Sequence, residues 1–167
     1  MSSGSERPRE SVAIPAAFRS RLHWLRGAVA GAVAAAVMAA AIGLGDLSVL
    51  RDAIAGLYLQ AGNLVAGVLV HVLHGALFGV VFAVVLSDPT LSRVSNSLAK
   101  TVVAGVVYGL VLAVVGAGVV MPMWLDAVGN EAGPSIPNLS VPLLLWHLVF
   151  GVVLGAAYAG LAAEESA

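Results

Sequence analysis

Four uninterrupted apolar stretches divide the chain: residues 27–45, 64–86, 101–125 and 141–163, none of which contains a charged side chain. Each is long enough to cross the hydrocarbon core as a helix, which takes about 20 residues. The Val-rich runs are too long for strands and lack the alternation of a membrane barrel. The pattern predicts an all-α membrane protein of four transmembrane helices.

The polar positions give the predicted direction. Arg7, Arg9, Arg19, Arg21 and Arg26 precede the first span, and Arg93 and Lys100 lie between the second and third. Only Arg51 is left for the other side, where Asp46, Asp52, Asp126 and Glu131 gather. Basic residues near span ends stay cytoplasmic, so both termini are expected inside. Residues 1–24 read as a disordered cytoplasmic tail and juxtamembrane segment, 25–86 as a first helical hairpin, 87–100 as a cytoplasmic loop and 101–163 as a second hairpin. The lead up to Arg26 is long for a signal peptide, so the first span is expected to be an uncleaved anchor.

The hairpins resemble each other. Span two carries His71-x-x-x-Gly75-x-x-x-Gly79 and span four His147-x-x-x-Gly151-x-x-x-Gly155. In the preceding spans Gly27-x-x-x-Gly31 matches Gly105-x-x-x-Gly109. Two copies of a two-span unit share one orientation, so the expected bundle is pseudo-symmetric about an axis along the membrane normal. At helical spacing each histidine shares a face with its glycines, and His71 and His147 lie at matching depth, roughly 10 Å from the ends of their helices.

Composition narrows the chemistry. The 167 residues are 60% hydrophobic and 10% charged, with no cysteine and a net charge of -1. No disulfide, thiolate nucleophile or cysteine-ligated cluster can form, and no basic stripe exists for nucleic acid to follow. A P-loop, a nucleophile elbow and a Mg²⁺-holding acidic pair are all missing from the sequence, so no kinase or hydrolase is expected.

A neutral imidazole in hydrocarbon has a donor and an acceptor to satisfy, which drives it inward. In one reading the glycines are packing notches, and each histidine bonds a backbone carbonyl, Thr101, Tyr108 or water. In a second, His71 and His147 ligate one b-type haem. Gly75 and Gly151 would then leave room for the ring, which Phe78, Phe82, Phe150 and Tyr108 would line, and Arg51 would meet a propionate. His74 is an alternative ligand, and His71, His74 and His147 together form a candidate metal site, with Met121 or Met123 as soft ligands. A third reading is small-solute or proton permeation through the histidines. Pro122 is expected to kink or end span three. Residues 46–63 read as a short amphipathic helix on the membrane surface, and residues 129–138 as an irregular cap.

The segments Val119-Val-Met-Pro-Met-Trp124 and Leu144-Leu-Trp-His147-Leu-Val-Phe-Gly151, with the His71 stripe, resemble an uncharacterised family of small four-span membrane proteins from halophilic archaea and some bacteria. Some of its archaeal members carry histidine-kinase-like names. The resemblance implies fold and location only. Arg outnumbers Lys seven to one amid abundant Ala, Val and Gly, which suits a GC-rich prokaryotic genome and the plasma membrane of such a cell. The expected role is a non-enzymatic accessory or binding subunit, surrounded by lipid, in a homo-oligomer or a larger membrane complex.

Overall fold

The computed structural model describes residues 16–91, 93–130 and 133–164. The expected disordered tail before residue 15 and the acidic Glu131 lie outside the described residues. Every regular element among the described residues is helical: α1 (Ala16–Gly45), α2 (Leu64–Leu86), α3 (Leu98–Val111), α4 (Met121–Ala127) and α5 (Val141–Glu164). Two π-helical segments, Val49–Ile54 and Leu112–Val120, complete the set. Four stretches are long and apolar enough to cross a membrane: Leu22–Gly45, Leu64–Leu86, Leu98–Ala127 and Val141–Ala163. Their lengths follow from the apolar runs. Large side chains such as Leu69, Leu73 and Leu77 stand exposed along α2, a surface suited to acyl chains.

Helix α1 packs against α2, α5 packs against α3, and α1 against α5 joins the two pairs. Glycines hold each pair at backbone distance. A Cβ on Gly31 would strike the Gly75 carbonyl and come within 2.8 Å of the Gly79 Cα. One on Gly105 would strike the Gly151 carbonyl and come within 3.1 Å of the Gly155 Cα. Removing the side chain is what lets two helices touch along their main chains. Contact for contact, Gly31 on α1 does at Gly75 what Gly105 on α3 does at Gly151. The correspondence read from spacing, Gly27 and Gly31 with Gly105 and Gly109, is therefore one helical turn out. A Cβ on Gly155 meets the Thr101 carbonyl at 2.6 Å, just as one on Gly79 meets that of Gly27.

The core is solid toward the terminal end. Phe82 sits between Tyr108 and Tyr158, with ring centroids 5.4 and 5.6 Å away. Leu154 is buried in the same cluster. Tyr158 also shares a hydrogen bond of 3.1 Å with His23 Nδ1, and Arg26 stacks over its ring.

Helices α2 and α3 have scarcely any backbone contact. Side chains bridge them instead: the Tyr108 hydroxyl donates to the Phe78 carbonyl at 2.9 Å. The helices therefore form an arc, α2–α1–α5–α3, rather than a closed ring.

Span three does not end at Pro122, and the helix continues to Ala127. Proline has no N–H to give the carbonyl four residues back, here that of Gly118. The Asn138 N–H from the following loop takes that carbonyl at 2.9 Å. The π-helical stretch lies just before this break, where such irregularities commonly sit. Between α1 and α2, Leu50, Ala53 and Ile54 are buried, and a Cβ on Gly67 of α2 would strike the Leu50 carbonyl. The expected amphipathic surface helix is thus a π-helical turn packed into the bundle, because its apolar residues find α2 as a partner.

Candidate functional site

At the end opposite the termini the bundle is hollow. A cavity of about 360 Å³ is walled by His71, His74 and Phe78 of α2, Gly116 of the π-helical stretch, and His147 and Phe150 of α5. It lies within the size range of small-molecule sites. Met38 and Ile42 of α1 close the back, and Leu57, Tyr58 and Trp124 form a roof. The roof is pinned by the Trp124 Nε1–H, which donates to the Leu57 carbonyl at 2.8 Å. Above it a more polar hollow of about 570 Å³, including Asp46, Asp52 and Asn138, shares Met121, Leu143 and Trp146 with the cavity.

The helices fix the three histidines on this wall. His71 and His74, three residues apart, fall on one face of α2, and α5 brings His147 from the other pair. The His147 ring accepts no ambiguity at one end: its Nδ1 lies 2.9 Å from the Leu143 carbonyl. A carbonyl only accepts, so Nδ1 carries the proton and Nε2 is left as the acceptor. The His71 Nε2 is buried with no hydrogen-bond partner. His74 Nε2 shares a hydrogen bond of 2.9 Å with the Tyr58 hydroxyl. Its ring also packs against Phe78, centroids 6.2 Å apart.

Several expected partners are elsewhere. Thr101 and Tyr108 do not serve the histidines: the Thr101 hydroxyl faces the Ser97 and Val94 carbonyls at 2.9 and 3.1 Å, and Tyr108 bonds Phe78. Phe78 and Phe150 line the cavity, whereas Phe82 and Tyr108 pack in the core below it. Arg51 pairs with its neighbour Asp52 at 2.7 Å rather than reaching the cavity. That guanidinium holds the Asp52 carboxyl below the usual carboxylate range. Met121 is on the cavity wall, and Met123 is 56% exposed. Among the described residues no three His, Asp or Glu side chains converge closely enough to hold a metal ion. His71, His74 and His147 share a wall and not a point, so the three-histidine metal site is not formed. Gly75 lines the cavity while also packing on α1, where a Cβ would strike Ala35, whereas Gly151 faces α3, where a Cβ would strike the Gly105 carbonyl.

Tyr58, Trp124 and Trp146 are the functional candidates that spacing did not single out. Tyr58 reaches His74 across 16 residues through a turn in which Leu59 adopts a positive φ of 60°. No periodicity carries that information. No protein-family model, curated protein or solved structure matches the chain.

Proposed function

We propose that this protein is a multi-pass, non-enzymatic binding subunit of a prokaryotic plasma membrane, with both termini cytoplasmic. Its two hairpins are copies of one unit, and the interface between them holds a lipid-soluble ligand between His71 and His147. The buried, partnerless Nε2 of His71 beside an apolar cavity carries this reading. A buried polar atom without a hydrogen bond costs about 1–3 kcal/mol, and a ligand that satisfies it recovers that cost. The test is extraction of small molecules from protein purified out of native membranes, with mass spectrometry of the extract. Gly116→Phe is the control: Gly116 is on the cavity wall, and a Cβ there meets nothing within 4 Å, so a large side chain fills the cavity without displacing a helix. A lipophile present in the wild type and lost in Gly116→Phe supports the reading. Equal extracts from both contradict it.

The alternative ligand is haem b, favoured by a specific observation. A metal-ligating histidine usually gives its other ring N–H to a carbonyl or carboxylate, and His147 gives its Nδ1–H to the Leu143 carbonyl. His71 and His147 would hold the iron, which would supply electron transfer. Arg51, held by Asp52, is not placed for a propionate. Reduced-minus-oxidised absorbance decides: a Soret band lost in both His71→Ala and His147→Ala supports haem, and a flat spectrum from cells supplied with haem removes it.

A further inference from the structure

We infer that the cavity admits its ligand sideways from the bilayer, between α2 and the π-helical stretch, and that the ligand is a lipid-soluble hydroquinone that donates one hydroxyl to His147 and pairs the other with the buried Nε2 of His71. The inference rests on the proposed binding role.

Three observations support it. The first is the entrance. Helices α1 and α5 close the back of the cavity, and Leu57, Tyr58 and Trp124 close the top. The remaining side lies between α2 and residues 112–120, both of which line the cavity yet barely touch each other. That side faces the exposed apolar surfaces of the helices, so a molecule dissolved in the membrane reaches it directly.

The second is polarity. With a proton committed to the Leu143 carbonyl, His147 offers only its Nε2 lone pair, and His71 adds a buried Nε2 with no partner. A fixed acceptor beside a buried unpartnered nitrogen calls for a ligand with hydroxyls, which donate to the first and donate to or accept from the second. A quinone, which brings acceptors only, would leave the His147 nitrogen unsatisfied and the carbonyl facing it unpaired.

The third is shape. Phe78, Phe150, Trp124 and Trp146 present aromatic surface around the histidines, which favours a flat ring over a branched aliphatic chain. The Tyr58–His74 hydrogen bond stands at the edge of the same wall.

The test compares retention of three probes by full-length protein in lipid vesicles over protein-free vesicles of the same lipid. The probes are a decyl-substituted 1,4-hydroquinone kept reduced under argon, its di-O-methyl ether and the parent quinone. Wild type is expected to hold the hydroquinone at least roughly tenfold more tightly than the ether, the factor for one satisfied buried acceptor. His71→Leu and His147→Leu are expected to erase most of that preference, and Gly116→Phe to retain none of the probes. Equal retention of hydroquinone and ether by wild type overturns the inference, and this comparison needs no variant to fold. Tighter binding of the quinone also overturns it. If no probe is retained while native extracts still yield a lipophile that Gly116→Phe loses, the ligand class is wrong and the binding role stands. If the extracts are empty as well, both fall.

Discussion

Replacing Gly31 by alanine tests whether main-chain contact holds the first helix pair. The added methyl would meet the Gly75 carbonyl and stand 2.8 Å from the Gly79 Cα and 2.9 Å from its N. Comfortable separation between carbon atoms is about 3.5 Å or more, so the helices must part by at least roughly 0.7 Å at this crossing. All three obstructing atoms are backbone, so no side chain can swing aside to absorb the change. A gap of that size forfeits about a quarter to a half of each affected van der Waals contact, and overpacking of a tight interior costs about 1–3 kcal/mol. Alanine's better helix propensity returns at most about 1 kcal/mol. Gly160→Ala is the matched control, because a Cβ there meets nothing within 4 Å and only the propensity change remains. Equilibrium unfolding in bicelles, followed by tryptophan fluorescence, should place Gly31→Ala about 1–3 kcal/mol below Gly160→Ala. Equal stabilities would refute the argument.

Three further substitutions probe other parts of the account. His71→Leu should stabilise the ligand-free protein by about 1–3 kcal/mol, since it removes a buried nitrogen with no partner; destabilisation in the same unfolding assay would mean that Nε2 is bonded. Pro122→Ala restores an N–H that competes with Asn138 for the Gly118 carbonyl, so amide exchange at Asn138 should quicken, and an unchanged rate would contradict the compensation. Asp52 is held below the usual carboxylate range first by its hydrogen bond from Arg51. Its contribution is therefore present above the ordinary carboxylate value near pH 4 and lost as pH falls through the lowered one. The acid-side decline of the unfolding midpoint should be shallower in Asp52→Asn, and identical profiles would count against the pair.

The spans were legible because hydrocarbon imposes a minimum apolar length, and the structure has long apolar helices over the same residues, extended slightly in the first and third. The histidine face was legible too, since helical spacing places His71, His74 and Phe78 together and all three line one cavity. Register between paired helices was not. A glycine every four residues matches itself after a slide of one turn, so spacing could not choose between Gly105 and Thr101 as the counterpart of Gly27. Only the carbonyl contacts of Gly79 and Gly155 separate the two. The loops were the least legible part. The burial of Leu50 and Ile54 depends on the Gly67 notch of α2, and the Tyr58–His74 bond depends on a turn. Local charge pairing also prevailed over a distant role: Asp52, adjacent in sequence, takes Arg51 before any ligand can.

The central claim is that the space between the two hairpins is a ligand site governed by His71 and His147. An experimental density map of the protein purified in native lipid tests it most directly. The account predicts density for a flat molecule between α2 and the 112–120 stretch, within hydrogen-bonding distance of both imidazoles. A closed interface, or a His71 ring turned outward against acyl chains, would contradict it.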